Sequence, residues 1–147
     1  MANVSLSTIR SRFATKLQTL AGFTISRNPF DDFNRNPNGV AHKRASVGIQ
    51  MVAREDQREA IGTGLICNTQ VVVKYPFRLR PKDQVLDYDN ALDSVEEVIA
   101  ACTERAAPLH SNLQIFFLQA LHDITDSGEF IINTLNFAVI HTIDLNT

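Results

Sequence analysis

Between Leu65 and Leu79 the chain alternates with a period of two. Cys67, Thr69, Val71, Val73, Tyr75, Phe77 and Leu79 fall on one side, and Asn68, Gln70, Val72, Lys74, Pro76 and Arg78 on the other. A run this long with that period has one regular solution, a strand whose apolar face must be covered by something else, so the first set is read as inward. Phe130 to Leu145 behaves in the same way, with Leu135, Phe137, Val139 and Ile143 sharing a face. Pro76 brings no N–H to a ladder, so its end of the first strand is predicted to be a sheet edge or a bulge.

The other segments supply the cover and the partners. Ser7 is read as the cap of a first helix from about Thr8 to Ala21, with Ile9, Phe13, Leu17 and Leu20 at helical spacing and Gly22 as the stop. Lys16 falls beside that stripe, its stem along the core edge and its ammonium reaching out. Gly22 to Ile25 reads as a short extended piece. Asn28 to Gly39, with two Asn-Pro steps, reads as a long ordered loop of the kind often used for binding. Ala45 to Ala53 reads as a strand, joined through the polar stretch Arg54 to Gly64 to the long strand that follows. Asp87 is placed as the cap of a second helix, Tyr88 to Arg105, whose apolar face is Tyr88, Ala91, Leu92, Val95, Ile99 and Cys102. Leu113 to Leu121 and Phe130 to Leu145 form a second hairpin around His122 to Glu129. The order helix, two strands, helix, two strands, with no internal repeat or linker, predicts a single α+β domain over residues 1–147: a four-stranded, mostly antiparallel sheet with two helices packed on one face.

Little in the sequence carries catalysis. Cys67 and Cys102 are too few and too far apart for a disulfide framework or a redox pair. His122, Asp123 and Asp126 sit where turn geometry alone accounts for them, and a lone His141 on an inward face reads as a hydrogen-bonded core residue. Gly62-Thr63-Gly64 does not open a helix after a strand, and no nucleophile elbow, phosphate loop or H-E-x-x-H is present. The expectation is a protein that is not an enzyme, with no catalytic residue, metal or cofactor. With no apolar run of about 18 residues and no apolar core at the start, neither membrane insertion nor secretion is expected.

Charge and exposed aromatics say more. The total is −2, but residues 1 to 54 hold eight basic and two acidic residues, and the rest hold six basic and fourteen acidic. Such a division suits complementary surfaces on neighbouring subunits better than a nucleic-acid binder. Asp89, Asp93 and Glu97 follow one another at i,i+4 on the second helix, a repulsion of roughly 0.2–0.5 kcal/mol per pair that a basic partner would relieve and that a solvated face would tolerate. Arg10 and Arg12 on the first helix, Arg35 in the long loop, and Arg54 and Arg58 around the polar connection are the candidate basic partners. Phe30 and Phe33 are placed either as anchors in a neighbour's pocket or as caps on the domain's own core. Arg78, Arg80 and Lys82 are expected to pair locally with Asp83 and Asp87.

Ser26 to Phe33 (SRNPFDDF), Val40 to Arg44 (VAHKR), Tyr75 to Gln84 (YPFRLRPKDQ) with the helix after it, and Phe137 to His141 (FAVIH) give the chain a further identity. It resembles the small tail terminator, or tail completion, proteins of long-tailed (siphovirus-like) bacteriophages, and in element order the likeness covers nearly the whole chain. The resemblance implies a structural virion protein forming a homo-oligomeric ring, commonly a hexamer, at the head-proximal end of the tail tube. There it would end tube polymerisation and join the tail to the head connector. Its implied partners are its own copies, the tail tube protein and the connector or stopper protein, with DNA only as cargo passing through the lumen. Its implied places are the virion tail and, during assembly, the host cytoplasm. Another head-to-tail joining protein or a tail tube subunit fits the same residues, and a small nucleic-acid-binding or enzymatic domain fits them less well.

Overall fold

The computed structural model describes residues 4–30, 41–54, 64–103 and 112–144. Its elements are α1 (Leu6–Gln18), β1 (Thr24–Ile25), β2 (Arg44–Arg54), β3 (Gly64–Arg78), α2 (Gln84–Thr103), β4 (Gln114–Ile124) and β5 (Phe130–Asp144). The two alternating segments are neighbours. β3 and β5 pair antiparallel along their whole length, from Gly64 opposite Asp144 to Arg78 opposite Phe130. β2 flanks β3 and β4 flanks β5, both antiparallel, in the order β1-β2-β3-β5-β4.

The fold is α+β with two helices, but the sheet is five-stranded and mixed rather than four-stranded. β1 adds a parallel pairing of Thr24 and Ile25 with Arg44 and Ala45. Two residues cannot show alternation, so the sequence marks this piece only as extended. Pro76 also departs from expectation, since it lies in a central strand and at neither edge nor bulge. The β2 ladder has ended by Ser46 opposite Lys74, and the Pro76 carbonyl turns that way to accept from Lys43 N at 2.7 Å. The missing donor therefore falls where no strand needs it.

Both helices cover the same face. The Phe13 ring of α1 meets Phe137 at 5.6 Å, and Ser94 of α2 bonds the hydroxyl of Tyr75 at 2.7 Å. Val71, Val73, Leu135, Phe137 and Val139 are fully buried beneath them with Ile9, Phe13, Leu17 and Val98. β4 runs in the same direction as β3, so the chain must cross the sheet before starting it, and α2 is that crossing.

The helix boundaries shift for local reasons. Ser5, not Ser7, caps α1, its hydroxyl accepting from Thr8 N at 3.2 Å. The helix closes at Thr19, three residues before Gly22 takes φ 80°. α2 starts at Gln84, with the Asp83 carbonyl accepting from Asp87 N at 2.8 Å. Asp87 is therefore inside the first turn, where Arg80 grips both carboxylate oxygens at 3.0 Å and donates its backbone N–H at 2.7 Å. That grip ties the first turn of the helix to the end of β3. The buried stripe is Asp87, Ala91, Ser94, Val95, Val98, Ala101 and Cys102, while Tyr88 is exposed and Leu92 and Ile99 are half-buried. Small residues let the helix sit close to the sheet, a criterion that hydrophobicity alone does not supply.

Phe137 meets rings from both sides, Phe13 above and Phe117 at 5.8 Å in an edge-on contact. Phe137→Ala is expected to lower stability by roughly 3–5 kcal/mol in urea unfolding, because the ring is fully buried between the helices and the sheet. A loss below about 1 kcal/mol would mean that this ring is not where the helices and sheet meet.

Candidate interaction surface

The surface that stands out is the free edge of the sheet. Among the described residues β4 pairs with β5 on one side and with no strand on the other, and it exposes Phe116 (50%), Leu118 (48%), Leu121 (51%) and Ile124 (62%). Its geometry explains the exposure. Phe116 and Phe117 take opposite faces as consecutive strand residues do, and a register shift between Phe117 and Gln119 inserts Leu118 as an extra residue in the irregularity. Edge strands in soluble proteins usually carry Lys, Pro or inward charges that discourage pairing, yet no charged residue occurs from Gln114 to Leu121.

The opposite edge is built differently. β1 covers Arg44 and Ala45 of β2, and the Arg10 Nε of α1 donates to the Val47 carbonyl at 2.6 Å. Arg10, expected at a subunit contact, thus uses this nitrogen inside its own subunit, and half-buried Arg12 is likewise engaged. Arg54 is exposed at the end of β2. Asp89, Asp93 and Glu97 are all exposed on the outer side of α2. Phe30 is 59% exposed and its ring lies on Gly48, where a Cβ would come within 2.6 Å of the ring and 2.7 Å of the Pro29 carbonyl. It therefore covers its own sheet with one side while showing the other to solvent. Phe33, Arg35 and Arg58, and most of the two long connections, lie outside the described residues.

The face of the sheet away from the helices is a shallow trough of about 520 Å³ between Phe30 and Leu121, floored by Gln70, Val72, Thr134 and Asn136. Two of the sequence segments quoted above meet at one corner of the sheet. His42 Nδ1 accepts from Arg78 N at 3.1 Å, with its ring edge-on to Phe77 at 4.6 Å. Lys43, at φ 57°, reaches back over the rings of Phe23 and Phe77. The Arg80 and Asp87 pair realises the local pairing expected of that basic cluster, and Arg80 holds the Asp87 carboxyl below its ordinary range. His141 is buried, its Nδ1–H donating to the Val4 carbonyl and its Nε2 accepting from Thr69 Oγ1. These residues serve the fold.

Among the described residues no three His, Cys, Asp or Glu side chains converge where an ion could sit, and no helix is long and apolar enough to cross a membrane. No protein-family model matches the chain, and no curated protein is found to match it.

What sequence reasoning missed was the role of β4, which it recognised as a strand but not as a surface. The signal was present in Phe116-Phe117-Leu118, three consecutive large apolar residues where alternation would place a polar one.

Burial holds the pKa of His141 below 6.5, and burial with nearby Lys43 and Arg78 does the same for His42. In the unfolded chain each takes up a proton near 6.5, while in the folded protein each stays neutral to lower pH. Stability should therefore be fully present above about pH 6.5 and fall as pH drops from there towards the lowered folded values. Urea midpoints from pH 7.5 to 5 are expected to decline, and to decline less in His141→Gln. A midpoint that rises over this window would contradict the neutral assignments.

Proposed function

We propose that this chain is a non-enzymatic structural protein of a long-tailed phage virion. In this reading it forms a homo-oligomeric ring, commonly a hexamer in the proteins it resembles, at the head-proximal end of the tail tube. It stops the tube from lengthening and offers the head connector or stopper a docking surface. DNA passes through the lumen as cargo, and no catalytic step is assigned. The four long strands are the frame on which the ring would be built.

The observation that carries the reading is β4. Among the described residues the core beneath the helices is closed without Phe116, Leu118, Leu121 or Ile124, so these side chains are free to meet a partner. Burying a Leu or Phe fully is worth roughly 1.5–3 kcal/mol, against about 0–1 kcal/mol for an exposed ion pair. Apolar contacts at β4 would therefore set the strength of assembly, and charge would tune it. The exposed stripe of Asp89, Asp93 and Glu97 is the acidic side of such a tuning contact, with Arg54 among the exposed basic residues that could face it.

Light scattering after size exclusion tests both parts. The native chain is expected to form an oligomer whose fraction grows with protein concentration, and Leu118→Lys with Leu121→Lys to return it to monomer with an unchanged circular dichroism spectrum. Raising salt from 0.1 to 1 M shortens the Debye length from about 10 to 3 Å and should shift the equilibrium only modestly, as should Asp93→Lys with Glu97→Lys. A native chain that stays monomeric at high concentration, and that is found in no larger particle, would refute ring assembly.

A further inference from the structure

β2 and β4 lie at opposite sides of the four long strands and are separated by three antiparallel steps, so they run in opposite directions. β4 of one subunit laid beside β2 of another would continue the alternation, with the helices of both subunits on the same side. We infer that the partner of β4 is the open stretch of β2, Gly48 to Arg54, in a second copy of this chain, the two sheets joining antiparallel and head to tail. This rests on the self-assembling reading above and names the surface that completes it.

The two edges match in the respects that decide strand pairing. On the outer edge of β2, the β1 pairing stops at Ala45 and Arg10 donates to the Val47 carbonyl, and beyond that point no strand pairs with this edge among the described residues. Gly48 to Arg54 gives a seam of roughly 24 Å, which the longer β4 can span. Apart from Arg54 at its end the seam carries no charge, because no charged residue occurs from Ala45 to Ala53 or from Gln114 to His122. Both sides bring exposed apolar residues, Met51 and Val52 on β2 and Phe116 and Leu118 on β4. Each strand also carries one bulge, at Gln50 and at Leu118, so both edges bend locally.

The competing arrangement, β4 against β4 about a two-fold axis, stops at two copies and leaves β2 bare. The heterologous seam satisfies both edges with one kind of contact and repeats, closing into a ring when the rotation per subunit permits.

Side chains facing away from the helices give the test. Met51 on β2 and Phe116, Gln119 and Leu121 on β4 share that face, and residues directly opposite across a seam have Cβ atoms about 4.5–5.5 Å apart. Met51→Cys is combined in turn with Phe116→Cys, Gln119→Cys or Leu121→Cys, which samples registers two to five residues apart, and treated with a short bis-maleimide. The native Cys67 and Cys102 are buried, and the unmodified chain serves as their control. At least one double variant is expected to give a ladder of covalent dimers, trimers and higher species, while every single variant stays at the monomer band. Dimers from a single β4 variant would overturn the inference in favour of two-fold pairing. Absence of a ladder from all three double variants, with light scattering still showing an oligomer, would place the seam elsewhere and leave the ring standing. Scattering that shows only monomer would instead remove the assembly reading and the inference with it.

Discussion

The β3–β5 ladder, fifteen residue pairs from Gly64 opposite Asp144 to Arg78 opposite Phe130, constrains everything else in the molecule. Slipping it by one residue would turn either Val71 and Val73 of β3 or Leu135, Phe137 and Val139 of β5 away from the helices, so one register is strongly favoured. With that register fixed, both helices must lie on one face, and α2 must cross the sheet to start β4 on the far side of β5. The same arrangement creates the two edges. One is partly closed by β1 and Arg10, and the other, β4, is left with its apolar side chains outward.

Much of this was legible in the sequence because long alternation is a strong signal. The two central strands, their inward faces and the two helices are all carried by periodicity. What was not legible depends on single contacts. Asp87 reads as a cap because short acidic residues favour helix starts, but Arg80 seven positions earlier captures it inside the first turn, and Ser94 and Ala101 are buried while Tyr88 is not. β1 is too short to have a period. Pro76 looks like an edge marker until one sees that β2 ends before reaching it.

The candidate surface was legible in part. Charge division pointed to contacts between subunits, and Asp89, Asp93 and Glu97 are exposed as a solvated or interacting face requires. Arg10, counted among the basic partners, also donates its Nε to its own β2 edge. Isolated charges do not disclose which carbonyl they will meet, and the break in alternation at Phe116-Phe117-Leu118 went unread. Among the described residues no three metal-ligating side chains converge, and the exposed apolar residues of β4 are the feature on which the proposed assembly rests.

Amide hydrogen exchange at β4 tests this account most directly. It should be followed as protein concentration is raised through the range in which scattering reports assembly. The outward amides of Gln114 to Ile124 should exchange quickly in dilute protein and become protected as the oligomer forms, in step with Gly48 to Arg54 of β2, while the β3 and β5 amides stay protected throughout. Unchanged exchange at β4 in a demonstrated oligomer would contradict the claim that this edge is where the subunit is completed.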